Sequence, residues 1–530
     1  MKPENKRHPF YLSFIPRKPK TEVLKASGEG GQNGGMSEAN TGRNKLFFST
    51  RENRGLLALG SLFLIFFLLV YRTSFTSFFS QDDFYHLGLS RASSLGDCLG
   101  FFNPFLQEDV HFRPLGTQAF FSIGHLFSQR TAPIVLRMVA LSFHLANFYL
   151  VFRLLKKFLK KELLALVLAG TYLVAPLHFL SIYYVSAFQQ ILAAFWQLLA
   201  FWFFSLKKKY WLYLFFVLAL LSKETAIVFP ALLLIFSYII RPEKTITGYF
   251  NRFKRSWSYW WPFILILIIY GLVRLVTFRH YPGDNYQLSL SLRTLFSSWR
   301  WYLVWLVVAP ETIIRYAGRW FDINLVSLVK DSGSWGRIFL GVFLAELLVV
   351  CLIAVRLLKG KKKNFWSGNK FSLVFWWGLF FVVSLLPVSF FPYHRYAHYL
   401  DLVFFVSLLT GGLLFAKAKV PQKLWVLLLA IFLLNSLASV SVDKQLHWTP
   451  ARSEIAQEYF YLFNQDNLCQ ESGLYFIDTP GFLAREANIA LFNSWGPVYF
   501  CQYQSLSVYY QGINPPGEKD FFKIASPKNP

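Results

Sequence analysis

Residues 55–71 read GLLALGSLFLIFFLLVY, an uncharged run that follows Arg51 and Arg54. At about 1.5 Å of rise per helical residue it nearly crosses a hydrocarbon core of about 30 Å. In that medium the backbone has to satisfy its own hydrogen bonds, and a helix does so within one segment. The run therefore reads as a first transmembrane helix. The polar stretch before it is long, and no small-residue cleavage site follows, so a signal peptide is not expected. Residues 1–54, rich in Lys and Arg and centred on Gly28-Glu29-Gly30-Gly31-Gln32-Asn33-Gly34-Gly35, bury too little to fold and read as a disordered basic cytoplasmic tail.

The rest of the 530 residues repeats the pattern. Hydrophobic residues make up 55% and charged ones 15%, against about 25% charged in a soluble chain. That excludes an ordinary soluble enzyme of several domains. The 54 Lys and Arg against 28 Asp and Glu give a net charge of +26, which in a soluble protein would suggest nucleic acid. Here it reads as topology, because basic residues gather in cytoplasmic loops beside spans, and no nucleic-acid partner is expected.

Later spans are expected at 132–152, 163–177, 185–206, 210–221, 225–240, 260–278, 338–355, 371–388, 399–415 and 424–442. Basic clusters fall between alternate pairs: Arg153 to Lys161, Lys207 to Lys209, Arg241 to Arg255, Arg356 to Lys363 and Lys417 to Lys423. With the N-terminus inside, eleven crossings place every cluster in the cytoplasm and the C-terminus outside. The apolar stretch 299–316, broken by Pro310 and Glu311, fits an interfacial or re-entrant helix, or half of an extra pair that would make thirteen crossings. Beyond residue 54, only Glu162, Glu243 and Glu346 fall in cytoplasmic or mid-span positions. Every other carboxylate lies outside, with the loops 72–131 and 279–337 and the tail 443–530, so any chemistry belongs to that face.

Within the first outer loop stands Ser80-Gln81-Asp82-Asp83-Phe84-Tyr85-His86. Two adjacent carboxylates at a membrane face are costly to desolvate, and one of them acquires a raised pKa if both meet one apolar site. That prepares a general base; a solvated acidic loop is the plainer reading. Val110-His111-Phe112-Arg113-Pro114-Leu115 adds an imidazole and a guanidinium, the latter also suited to reaching lipid headgroups. Between Lys207–Lys209 and Arg241 the hairpin has to turn outside, at Ser222-Lys223-Glu224. Its first arm, 210–221, is about 18 Å long as a helix, so the turn sits below the surface. An ammonium there needs a partner, and both Glu224 and a lipid-linked phosphate fit.

Arg137, His144 and Asn147 share one helical face, a polar seam that holds helices together. Pro176-Leu177-His178 ends a span outside, with Gln189 and Gln190 beyond it. In Pro392-Tyr393-His394-Arg395-Tyr396-Ala397-His398-Tyr399-Leu400-Asp401, a helix would give His394, His398 and Asp401 metal-compatible spacing. Hydrogen bonding to neighbours is the commoner fate of such a set, and no metal site is assigned. Arg395 is the better anion contact. Cys469 and Cys501 could pair in an oxidising compartment. The tail 443–530, with Gly473 to Gly481 reading as a short strand and turn, fits a small extracytoplasmic α+β region.

Taken in order, Asp82-Asp83, Phe112-Arg113-Pro114-Leu115, His144-Leu145-Ala146-Asn147, Pro176-Leu177-His178, Leu221-Ser222-Lys223-Glu224 with Pro230, and Arg395-Tyr396 resemble the membrane glycosyltransferases of the GT-C fold. The bacterial branch related to protein O-mannosyltransferases and the lipid A aminoarabinose transferase is the nearest likeness, over about residues 55–415. The resemblance implies an all-α polytopic protein of about 11–13 transmembrane helices, with a catalytic domain over 55–442, in a bacterial inner membrane. It implies inverting transfer of a sugar from a polyprenyl-phosphate carrier to an acceptor glycan, lipid or protein at the outer face. By that likeness Asp82 is the base with Asp83 beside it, and Lys223, Arg395 and Arg113 hold the donor phosphate. His111, His178, Glu224, Tyr396 and His398 complete the candidate site; no cofactor is assigned, and whether a divalent metal helps is left open. Asp83 stands where O-mannosyltransferases carry Glu, and no tetratricopeptide repeats follow, which leaves the acceptor class open. A transporter or flippase of lipid-linked substrates, or a glycan ligase or polymerase, is the competing reading.

Overall fold

The computed structural model describes residues 51–106, 111–243, 245–255, 257–277, 287–318, 322–359, 369–417, 422–465, 473–476, 487–492, 495–501 and 507–510. The chain starts with α1 (Arg51–Val70), followed in the first loop by α2 (Asp82–Leu89), α3 (Leu95–Gly100) and α4 (Gln118–Ser122). Then come α5 (Ala132–Leu159), α6 (Glu162–Val174), α7 (Phe179–Tyr183), α8 (Phe188–Ser205), α9 (Lys209–Ser222), α10 (Phe229–Ile240), α11 (Ile246–Arg255) and α12 (Trp257–Thr277). The remaining helices used below are α13 (Leu292–Leu306), α14 (Leu325–Lys359), α15 (Asn369–Ser389), α16 (Asp401–Lys417), α17 (Gln422–Leu446) and α18 (Trp448–Gln465).

Each of the eleven apolar runs holds a helix. Seven helices are long and apolar enough to cross a membrane: Ala132–Leu159, Val185–Ser205, Tyr259–Thr277, Leu325–Leu352, Phe371–Ser389, Ala397–Phe415 and Val426–Leu446. An eighth passes as a pair, Glu162–Val174 with Pro176–Tyr183, bent by 42°. Three shorter apolar helices, Arg54–Val70, Lys209–Ser222 and Glu224–Ile240, fill the other positions. This is a multi-pass helical membrane protein.

The bend has a local cause. Pro176 has no N–H to return to the preceding turn, and it drives Ala175 into extended backbone (φ −63°, ψ 134°). That strands carbonyls inside the bundle, and the polar seam of α5 receives them. Arg137, only 1% exposed, donates to the carbonyls of Ile182 (3.1 Å) and Tyr183 (2.9 Å) at the end of α7 and to Ser77 (3.0 Å). His144 lies 3.1 Å from the Leu173 carbonyl in the last turn of α6. The seam is thus a cap for a broken helix in a medium that offers no water.

Several boundaries differ from the sequence reading. Helix α14 starts at Leu325 rather than 338, with a non-helical break at Gly333 (φ 57°), a conformation only glycine adopts cheaply. The 299–316 stretch is two pieces: α13 stops at Leu306, and a single tight turn, Glu311–Tyr316, follows Pro310. Asp443 of α17 caps that turn, accepting from the N–H groups of Glu311 (2.9 Å) and Thr312 (3.0 Å) and from the Thr312 hydroxyl (2.7 Å). Leu292–Leu306, with Arg293 and Arg300 in it, is not among the apolar helices that could cross. A domain boundary at 442/443 falls inside α17, which runs unbroken to Leu446. The boundary at 54/55 likewise falls inside α1, whose first turn takes in Arg51 to Arg54.

Residues 51–530 form one compact unit. Its main core is built by α1, α5, α6, α8 to α10, α12, α13 and α15 to α17. Gly170 on α6 lets α1 come close, since a Cβ there would stand 2.5 Å from the Phe63 ring. A second core joins the first loop to the tail: Phe78, Phe79, Phe84 and Phe121 pack with Phe460, Phe463, Tyr499 and Phe500. Ser453 of α18 clamps the same junction, accepting from the Phe78 N–H (2.6 Å) and donating to its carbonyl (3.1 Å). Gly473–Phe476 and Ser507–Tyr510 pair as two parallel strands. Cys501 is disulfide-bonded and Cys98 and Cys351 are free; Cys469, its expected partner, lies outside the described residues.

Candidate functional site

The acidic pair opens α2, and the residue before it is strained. Gln81 adopts φ 53°, ψ −125°, rare for a residue with a side chain, and its N–H is held by the Ala490 carbonyl (2.8 Å). This kink sends the two carboxylates in different directions. Asp83 is 1% exposed. One of its oxygens accepts from the N–H (2.7 Å) and hydroxyl (2.5 Å) of Ser186, and the other accepts from the Ser80 N–H (3.0 Å). Burial pushes its carboxyl up to about 7 against those bonds and the attraction of Arg137. Asp83 therefore ties α2 to the loop before α8, with both oxygens occupied.

Asp82 turns outward and is exposed. The surrounding protein still removes enough water to raise its carboxyl above the ordinary value, opposed by the Tyr184 hydroxyl, Arg113 and Arg452. Tyr184 does two things: its oxygen accepts the Asp82 N–H (3.0 Å), and its hydroxyl bonds the Asp82 carboxylate. The Tyr184 ring meets Trp448 edge-on at 5.2 Å, and the Arg452 guanidinium lies 5.2 Å from the Trp448 ring. So α18 stands beside Asp82 through Trp448 and Arg452.

A second contact forms where the first loop crosses the short arm of the hairpin. The Leu115 N–H donates to the Leu221 carbonyl (3.1 Å). Gly116 sits against the turn so tightly that a Cβ would stand 2.3 Å from the Ser222 carbonyl oxygen. This contact fixes Arg113, which pairs in two-pronged fashion with Glu224 (both 2.5 Å) and donates a further bond to Gln189. Glu224 is thus the partner of Arg113, not of its chain neighbour Lys223. Lys223, 6% exposed, lies in extended backbone between α9 and the turn Glu224–Val228. Its ammonium sits 4.7 Å from the centre of the Tyr399 ring. Among the described residues no hydrogen bond or ion pair reaches that ammonium. Arg113 acts electrostatically on both Asp82 and Lys223, which brings the acid and the two cations within range of one guanidinium.

The other sequence candidates divide. His111 stands by Arg113 and Glu224, and burial with the Arg113 charge lowers it to about 3, so it is a neutral imidazole at physiological pH. His394 and His398 both feel the Lys223 charge, and Tyr396 stacks on His398 (5.6 Å, 9°). Arg395 instead bonds the hydroxyls of Ser298 (3.0 Å) and Ser297 (3.3 Å) on α13, so it is spent on packing the 394–401 segment. His178 sits in the bundle, 2.9 Å from Asp401 and against the rings of His144 and Tyr172. His394 precedes the helical turn Ala397–Leu400, and Asp401 faces His178, so the three-residue face envisaged for a metal does not form. Among the described residues no group of three His, Cys, Asp or Glu is arranged to hold a metal.

Tyr184, Tyr399, Trp448 and Arg452 were not singled out in the sequence. The first two sit beside quoted motifs, and an Arg one helical turn after Trp448 is the only local signal for the others. Next to Tyr399 a small cleft of about 20 Å³, room for little more than one water, lies between α8, α10, α15 and α16, lined by Gln190, Gln197, Thr225, Val228, Ser384 and Leu402. Comparison with family models, curated proteins and solved structures finds no match.

Proposed function

We propose that this protein is a membrane glycosyltransferase that moves a sugar from a polyprenyl-phosphate carrier to an acceptor hydroxyl on the extracytoplasmic side. The observation that carries the reading is Lys223: a buried ammonium without an acidic partner is costly, and a phosphate drawn from the membrane supplies the missing charge. A disulfide at Cys501, close to the first loop in the second core, agrees with an oxidising, extracytoplasmic placement of this face.

Asp82 is the base of this reaction. It takes the proton from the acceptor oxygen, that oxygen forms the new bond to the anomeric carbon, and the bond from that carbon to the carrier phosphate breaks with inversion. The proton ends on the Asp82 carboxylate, and the leaving phosphate takes the electron pair beside Lys223. General-base help of this kind is worth about 10²–10⁴-fold. Fixed cations in a half-dry site stabilise the departing charge, with Lys223 in contact and Arg113, already paired, contributing field. The resemblance in the sequence motifs points the same way, and the small C-terminal α+β region, with α18 at its head, is assigned to the acceptor side of the site.

The test is the pool of lipid-linked sugars in cells lacking the protein. A polyprenyl-phosphate sugar accumulates, and the wild-type protein but not Asp82→Asn clears it. An unchanged pool, or clearance by Asp82→Asn, overturns the assignment.

A further inference from the structure

Apart from the residues of the candidate site lies a second groove, of about 540 Å³ including its open mouth, between α18 and the start of α5, with Thr76, Ser77 and Phe78 along it. Its floor is Phe78 and Phe460, its sides Ile134, Tyr461 and Gln457, and Arg130 stands at its rim. Arg130 is exposed, and among the described residues no carboxylate or other hydrogen-bond partner takes its guanidinium. Two residues later the span Ala132–Leu159 begins, so the cation sits at the level where this helix leaves the hydrocarbon. From the groove an apolar stripe runs down the outward side of α5 through Ile134 (47% exposed) and Met138 (49% exposed). A helix residue one turn on lies on the same face, so the stripe continues the groove into the bilayer.

We infer that this groove binds one anionic phospholipid of the surrounding leaflet. Its phosphodiester meets Arg130, the Gln457 amide donates to a headgroup oxygen, and the first methylenes lie between Ile134 and the Phe460 ring. A cation at a membrane boundary, an apolar slot below it and a lipid-facing stripe beyond match charge, depth and direction of such a molecule. The lipid fastens α18 to the bilayer, and Arg452, which faces Asp82, lies five residues before Gln457 on the same helix. This site is separate from the transfer reaction and stands without it.

The test uses the full-length protein extracted from bilayers of phosphatidylglycerol and phosphatidylcholine, with retained lipid counted by native mass spectrometry. Wild-type protein is expected to retain phosphatidylglycerol about fivefold over its share, the preference one arginine gives at a membrane surface. Arg130→Gln removes the preference, and so does Gln457→Trp, which fills the groove and leaves the charge in place. Arg293→Gln, at another exposed arginine, keeps it. Equal retention in wild type and Arg130→Gln, or an equal loss in Arg293→Gln, overturns the site in favour of diffuse attraction.

Discussion

Removing one oxygen, as in Tyr184→Phe, is expected to move the acid side of the pH–rate profile without abolishing turnover. The Tyr184 hydroxyl bonds the Asp82 carboxylate and is one of the influences that lower its pKa against the burial that raises it. Asp82 acts as base only when ionised, so kcat/KM falls as pH drops through its folded pKa, which lies above the ordinary 3.8. A hydrogen bond to a charged group is worth about 1.5–3 kcal/mol, and one pH unit corresponds to about 1.4 kcal/mol. The limb should therefore shift upward by about one to two units. Loss of the acceptor for the Asp82 N–H adds about 1 kcal/mol of destabilisation, because that amide is near water. The assay is initial transfer from a polyprenyl-phosphate sugar in proteoliposomes across pH 4 to 9, with thermal unfolding in parallel. Full recovery of rate at the alkaline end marks a pKa effect, whereas an equal loss at every pH marks mere positioning. A limb that stays in place or moves down refutes the role given to Asp82.

Other substitutions separate roles that the sequence leaves merged. Asp82→Asn should cut turnover by about 10²–10⁴-fold and leave the melting temperature near that of the wild type, since the side chain is exposed; a large loss of stability would point to a structural carboxylate. Lys223→Met should abolish donor binding yet melt at or above the wild-type temperature, because it removes a buried charge that lacks an acidic partner; retained donor affinity contradicts the phosphate contact. Gly116→Ala drives a methyl to 2.3 Å from the Ser222 carbonyl. It should destabilise by about 1–3 kcal/mol, visible in thermal unfolding, and weaken donor binding through Arg113. An unchanged melting point would mean that the loop is not held against the turn.

Seven of the eleven expected spans, or eight with the bent pair, were legible because the hydrocarbon sets one simple demand, a run of apolar residues long enough to cross, while the three others are apolar helices shorter than that. The front of α14 was missed since Lys330, Asp331 and Gly333 break that pattern although the backbone still coils. The shared face of Arg137 and His144 was readable from spacing, but its task depends on carbonyls left open at the ends of α6 and α7, in another part of the chain. Proximity in sequence left Glu224 open as a partner for Lys223, and only the fold shows Glu224 paired with Arg113, 111 positions earlier. Arg395 looked like an anion contact, and only the packing of α13 against its segment reveals the two serine hydroxyls that occupy it. The tail gave no local sign that Phe460 and Phe500 would close over Phe78, since aromatic contacts across hundreds of residues carry no spacing signal.

The central claim is that Asp82 belongs to a site on the extracytoplasmic side that receives the lipid-linked donor. The most direct measurement places a single cysteine at position 82, with the free Cys98 and Cys351 changed to serine, and follows its reaction with a membrane-impermeant maleimide in intact cells and in purified protein. The account predicts labelling from the outer face, slowed by polyprenyl-phosphate sugar and no longer slowed once Lys223→Met is added. Labelling only from the cytoplasmic face, or at a rate indifferent to the donor, contradicts it.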